Sequence, residues 1–273
     1  MNIVGNGFIA RNLGPATARF AGVTVLAAGV SKSRSVSPDE FAREKELVRR
    51  VVTRCQEEGR LLVFLSTASY AMYGSTSEPA TEDAAIVPAA HYGRHKRELE
   101  LMVSTSLRDW LVLRLSHVVG GDQPPWHLLP NLVGQLRTGV VRVHAGAYRD
   151  LIDVSDVRAS LVGLLDAGVN REIVNVASGT PYPIESIVDQ IERRLRTKVA
   201  RQVVHDARGP TLVSIAKLRR RLPGLAAELG GERYLNRVIE RYAPRYALDG
   251  VDEDRTDSGR EDSEVRHDNQ LGK

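Results

Sequence analysis

Residues 1–10 read M-N-I-V-G-N-G-F-I-A, and the fold turns on them. Met1–Gly5 is short and apolar, as a strand is. Beyond it Phe8, Ile9 and Leu13 recur at helical spacing, which predicts a helix over Phe8–Phe20 with Gly14-Pro15 weakening its middle. Between the two, Gly5-Asn6-Gly7-Phe8-Ile9-Ala10 has the form G-x-G-x-x-A. At a strand-to-helix junction, glycines leave room for the backbone to approach a pyrophosphate at the helix N-terminus. The same residues also fit a plain strand–helix turn.

Working outward, apolar runs and helical patterns alternate. Val23–Ala28 and Leu61–Leu65 read as buried strands. Ser37 caps a helix with Pro38 at its first position, running to about Glu58. His91–Ser106 is helical, Trp110–Leu115 a strand, Val154–Ala167 a helix, Ile173–Val176 a strand and Pro183–Leu195 a helix. Strands alternating with helices predict a parallel sheet covered on both faces, an α/β protein of the doubly wound, Rossmann-like kind. Gly121–Arg149 and about Gly179–Tyr246 break the alternation, with Pro124-Pro125-Trp126 and two basic helices. The expected division is therefore residues 1–120 plus 150–178 as the nucleotide-binding domain and 121–149 plus 179–248 as a small substrate lobe. Residues 251–273, where charge dominates, are expected to be a disordered tail.

Composition narrows the class. The chain has 273 residues, 42% of them apolar, enough for one large core or a nucleotide-binding domain with a small appendage. No apolar run is long enough to span a membrane, and the N-terminus has no basic region leading into an apolar one. With the single cysteine, Cys55, these features lead to the expectation of a cytoplasmic protein without a membrane partner. Cys55 reads as a bystander rather than a catalytic thiol. Net charge is +4, but Val251–Lys273 carries eight acids and four bases, leaving about +8 on the body. That suits an anionic ligand such as a nucleotide diphosphate, and equally a generically solvated surface. Basic residues are not interleaved with aromatics, so no nucleic-acid partner is expected.

The second strand lacks an expected feature. A dinucleotide fold usually carries an acid or base about 20 residues on, at the tip of that strand, to read the adenosine ribose. Val23–Ala28 follows the first helix at once and ends in Ala27-Ala28-Gly29. NAD and NADP are thus not separated. Arg11, Lys32 and Arg34 are candidates for a 2′-phosphate, against the plainer reading of surface charges.

The chemistry is concentrated in Y-G-R-H-K, Tyr92–Lys96, which lies after Ser69. Four residues apart on a helix, Tyr92 and Lys96 share a face. A tyrosine with its ordinary pKa near ~10 is a poor base, and an adjacent ammonium favours the phenolate. Such a tyrosine can exchange a proton with a carbonyl or carbinol oxygen while a nicotinamide exchanges hydride with the carbon. A Ser69 hydroxyl would hold the same oxygen. No metal site is expected. His91 and His95 lack a third ligand, and His127, His144, His205 and His267 are scattered.

Taken in order, these motifs resemble the extended short-chain dehydrogenase/reductase family of NDP-sugar epimerases and dehydratases. The matching residues are the glycine turn, L-A-A at Leu26–Ala28, S-Y-A-M-Y-G at Ser69–Gly74, Y-G-R-H-K, L-R-L-S-H-V-V-G at Leu113–Gly120, R-D-L-I-D-V-S-D-V at Arg149–Val157 and N-V-A-S-G at Asn175–Gly179. The resemblance implies NADP or NAD as cofactor, with NADPH slightly preferred. It implies a nucleoside-diphosphate sugar as substrate, preferably TDP-linked, and Ser69, Tyr92 and Lys96 as the catalytic set. Cofactor contacts are implied for Gly5, Asn6, Gly7, Phe8, Ile9, Ala27, Ala28, Gly29, Ser66 and Thr67 besides Tyr92 and Lys96. Substrate contacts are implied for Ser69, Tyr70, His117 and Arg149, the last on the phosphates, and a homodimer is common in the family. His117 stands where the family has asparagine, and either hydrogen-bonds the sugar diphosphate or packs locally.

Two departures refine the expectation. The short segment before Val23 implies that two strands usual in the family are absent, which trims the adenosine side of the sheet. In S-Y-A-M-Y-G, Tyr70 and Ala71 replace the acid pair of sugar 4,6-dehydratases, which disfavours that reaction. An epimerase and a ketoreductase need the same three residues. A trimmed adenosine site suits an exchangeable cofactor, and the chain resembles the small NDP-hexose 4-ketoreductases of deoxysugar and antibiotic biosynthesis. The expected reaction is reduction of an NDP-4-keto-6-deoxyhexose at C4. A sugar epimerase is the alternative, and a non-catalytic nucleotide sensor a third reading.

Overall fold

The computed structural model describes residues 1–14, 19–30, 36–205 and 209–248. Five parallel strands form its main sheet: β1 (Asn2–Val4), β2 (Val23–Leu26), β3 (Leu61–Thr67), β4 (Trp110–Leu115) and β8 (Glu172–Val176), side by side in that order. β1 is an edge strand. The strands expected to be missing would lie beyond it, so strand order runs across the sheet without reversal.

Both faces are covered, as the alternation predicts. On one face Leu26, Leu62, Phe64 and Val112 pack against α2 (Pro38–Glu57) and α4 (His91–Ser106). On the other, Val25, Val63, Leu111 and Leu113 join α6 (Val154–Asp166) and a larger core. α2 starts where its sequence dictates. The Ser37 hydroxyl accepts from the Glu40 N–H, Glu40 accepts from the Ser37 N–H, and Pro38 fills the first turn. The first helix, α1 (Phe8–Leu13), is shorter than predicted because Gly14, at φ +57°, ends it; residues 15–18 lie outside the described residues. Cys55 is buried on α2, and burial pushes its thiol up, which suits an inert side chain.

Short elements after β4 build the rest. β5 (His117–Val119), β7 (Tyr148–Asp153) and β9 (Pro181–Pro183) form one small sheet, and β6 (Val140–Ala145) pairs with β10 (Ala200–His205). Helices α5 (Leu128–Arg137), α7 (Ile184–Leu195) and α10 (Gly231–Leu248) share their core with Val141 and Val143 of β6. The one-turn α3 (Tyr70–Tyr73) and the short α8 (Ala216–Arg221) and α9 (Pro223–Ala227) complete the set. No helix of the described residues is long and apolar enough to cross a membrane. The acidic stretch 251–273 lies outside the described residues, as do Lys32 and Arg34.

Candidate active site

A cavity of about 830 Å³ opens at the carboxyl ends of β2, β3 and β4, where parallel α/β sheets place their ligands. Ala27, Ala28 and Gly29 line it from the end of β2, and Ser66, Thr67, Ser69 and Tyr70 from the end of β3. Tyr92 and Lys96 enter from α4, His117 from the end of β4, Arg149 from β7, and Phe8 and Ile9 from α1. Residues distant in sequence, read as catalytic, cofactor-binding and substrate-binding, therefore line one cavity.

Gly93 fixes how α4 arrives. A Cβ built on it would lie 1.8 Å from the carbonyl oxygen of Ala71. Helix α4 therefore touches the backbone of α3, and this contact sets Tyr92 beside the Ser69–Tyr70 turn. The Thr67 hydroxyl donates to Ser69 Oγ at 2.9 Å and orients it. Among the described residues the Tyr92 hydroxyl has no hydrogen-bond partner. Ser66 lines the cavity, but its hydroxyl donates to Glu100 at 2.6 Å and serves the interior.

The glycine turn lies next to the cavity in sequence, just before Phe8 and Ile9, which line it. Gly5, Asn6 and Gly7 do not line the cavity. Gly5, at φ +132°, is required because a Cβ would come within 2.5 Å of the Ala27 carbonyl oxygen, so it permits β1 to meet β2. At Gly7 a Cβ would meet nothing within 4 Å, so space remains at the start of α1. Arg11 donates to the Asn6 carbonyl at 3.0 Å and closes the turn.

Electrostatics at Tyr92 depart from expectation. Burial pushes the phenol above its ordinary value; Lys96 opposes the shift and Glu44 adds to it. Sequence reasoning missed Glu44. It projects from α2 with its side chain 1% exposed. Its carboxylate accepts from Lys96 Nζ at 2.6 Å and meets His95 Nε2 at 3.0 Å. Burial would push Glu44 up, but the hydrogen bonds from His95 and Lys96 and the charge of Lys96 hold it below its ordinary value. Lys96 is held above its ordinary value, with Tyr92 and Glu44 outweighing burial.

His117 and Arg149 also line the cavity. Burial first, then the charges of Arg149 and His127, depress His117 to about 3, so its ring is neutral near pH 7 and can both donate and accept. Arg149 donates to the Tyr148 carbonyl at 2.6 Å. Asp150, also in the cavity wall, is pushed by burial up to about 6, although hydrogen bonds from the Ser178 and Gly179 backbone restrain it. Trp126, 58% exposed, stands in the same wall beside His127. No cluster of metal-ligating side chains occurs among the described residues.

The RmlD substrate binding domain family model matches residues 30–129. The fold is shared with nucleotide-sugar enzymes of known structure. RMD from Pseudomonas aeruginosa, complexed with NADPH, is 16% identical with a TM-score of 0.72, over 90% of this chain and 98% of that one. UDP-glucose 4-epimerase from Thermus thermophilus, with NAD, is 20% identical with a TM-score of 0.72, over 86% and 81%. The dTDP-glucose 4,6-dehydratase of Bacillus anthracis, with NAD, is 16% identical with a TM-score of 0.71, over 84% and 74%. Comparison with curated proteins gives no match. The fold is Rossmann-like, and the family-model match and the solved structures agree with the resemblance to the extended short-chain dehydrogenase/reductases.

Proposed function

We propose that the chain reduces a keto group of a nucleoside-diphosphate sugar with NADPH or NADH, the substrate being a TDP-4-keto-6-deoxyhexose reduced at C4. One observation carries the reading: Ser69, Tyr92 and Lys96 line the same cavity as His117 and Arg149. Similarity to enzymes solved with NAD or NADPH supports the cofactor class. The fit is partial. Space at Gly7 and the Ala27–Gly29 wall suit a dinucleotide's pyrophosphate and nicotinamide half, while β1 is the sheet's edge on the adenosine side.

Bound reduced nicotinamide would supply the hydride. Tyr92, with its phenol held protonated, gives the proton to the alkoxide, and Ser69, aligned by Thr67, holds the oxygen. Arg149 and neutral His117 take the diphosphate side. The raised phenol rests protonated, the form from which reduction starts. The test incubates the protein with TDP-4-keto-6-deoxyhexose and NADPH or NADH and follows nicotinamide absorbance. Stoichiometric cofactor oxidation is expected, and Tyr92→Phe should lower kcat by about 10²–10⁴-fold with cofactor affinity nearly intact. Sugar conversion without net absorbance change would make it an epimerase. Equal activity in wild type and Tyr92→Phe would rule out the assignment.

A further inference from the structure

Glu44 is a charge where the α2 sequence calls for a core residue. With Val48, Val51 and Cys55 it occupies the buried stripe of the helix, and a carboxylate on such a stripe persists only when paired. Its two oxygens are divided between Lys96 and His95. An ionised carboxylate only accepts, so His95 Nε2 carries a proton toward it, and the His95 ring is backed by Phe41 at 4.4 Å. Gly29 closes the other side, where a Cβ would lie 2.0 Å from Glu44 Oε1. Since Gly29 lines the cavity, the carboxylate sits directly behind the cavity wall.

Few other charges reach Tyr92 and Lys96. Lys96 lies between the rings of Phe64 and Tyr92, at 5.5 and 5.6 Å. Glu100, one turn on, is engaged by Arg114 and Arg97 and by the Ser66 hydroxyl. Glu44 is therefore the anion that compensates the buried ammonium.

We propose that Glu44 is a positioning residue of this site. Its carboxylate tethers Lys96 and supplies the negative charge that, added to burial, favours Tyr92 as a phenol and holds Lys96 as an ammonium, the proton-bearing pair from which carbonyl reduction starts. The inference rests on the reductase reading for its catalytic meaning, but not for its electrostatics. A nearby negative charge makes both protons harder to remove, whichever leaves first. Lys96 alone beside Tyr92 would instead favour the phenolate.

Glu44→Gln keeps the shape and the acceptor and deletes the charge. In the resting protein, Tyr92 is titrated by tyrosinate absorbance against Tyr92→Phe, and Lys96 by its ζ-nitrogen NMR shift against Lys96→Met. In Glu44→Gln the first proton of the pair should leave at a pH lower by about 1–3 units. The alkaline limb of kcat for keto-sugar reduction should move down with it, costing about tenfold per unit at a fixed pH on that limb. Glu44→Asp, which keeps the charge, should return the limb toward its wild-type position. A residue that merely holds α2 against α4 would change the rate at every pH and leave the limb where it was. Unchanged midpoints for both groups overturn the proposal. If Glu44→Gln does not fold, the wild type decides: Lys96 should stay charged beyond the ordinary lysine range near ~10.4, and a Lys96 neutral at pH 7 overturns it. Wild type that reduces no keto-sugar would defeat the reductase reading, while the titrations would still judge Glu44.

Discussion

Replacing Gly93 with alanine tests whether the approach of α4 to α3 builds the site. The added Cβ would stand 1.8 Å from the Ala71 carbonyl oxygen and 2.4 Å from its carbon. A carbon–oxygen contact settles near about 3.3 Å, so the two backbones must part by roughly 1.5 Å. Neither partner is a flexible side-chain end, and both belong to packed helices. Overpacking of this kind costs about 1–3 kcal/mol, and a backbone obstruction belongs at the upper end. At about 2–4 °C per kcal/mol for large domains, Tm should fall by roughly 6–12 °C. Activity should fall further than stability explains. Tyr92 is next to Gly93, and a displacement of about 1 Å can cost on the order of 10²-fold in rate. Calorimetry on purified Gly93→Ala gives the first quantity, and keto-sugar reduction well below Tm gives the second. A variant with wild-type Tm and wild-type kcat would refute the contact and the placement of Tyr92 derived from it.

Two further perturbations address the buried charges. Arg114 and Glu100 are both fully buried and joined by two hydrogen bonds of 2.9 and 2.7 Å. Glu100→Gln leaves the guanidinium without its counter-charge and should cost about 3–5 kcal/mol in urea unfolding; a loss below about 1 kcal/mol would contradict the pairing. His117, depressed from 6.5 to about 3, binds its proton less readily in the fold than unfolded, so its stabilising effect is complete above pH 6.5 and lost as pH falls toward about 3. Asp150 acts in the opposite sense. Raised from 3.8 to about 6, it contributes stability below pH 3.8 that is lost as pH rises through about 6. His117→Asn should therefore flatten the acid decline of stability and expose the Asp150 trend; an unchanged pH–stability curve would show that His117 is not desolvated.

How far the sequence could be read depended on whether the signal was local. Ser37-Pro38 before a periodic run placed α2, and the α4 bounds His91–Ser106 were legible residue for residue. The missing strands were legible as an interval too short to hold them, and β1 duly forms an edge. Ser69, Tyr92 and Lys96 converge because each sits at a fixed offset from a strand end or helix start. The strands β5 and β9 have three residues each, too few for periodicity to mark them. β10 is legible only through its pairing with β6, since most of its residues are exposed. The phenol of Tyr92 shows the same limit. Its ammonium neighbour lay four residues away, whereas the carboxylate acting on that ammonium lies 52 residues earlier, on another helix. Glu44 did leave a trace, as an acid in register with Val48, Val51 and Cys55, but a stripe names a buried position and not its partner.

The two sides of the Tyr92–Lys96 pair are set by two glycines that do different jobs. Gly93 lets α4 meet the Ala71 backbone and so places the phenol relative to Ser69; Gly29 leaves room for the Glu44 carboxylate and so places the ammonium. Gly93 lies outside the cavity lining, whereas Gly29 is part of it. A side chain at Gly93 would displace Tyr92, and one at Gly29 would push Glu44 off Lys96 within the wall proposed for the cofactor. The first changes distance and the second changes charge, so Gly93→Ala should lower rate and stability, and Gly29→Ala should add a shift in pH dependence to the strain of a side chain at φ +130°.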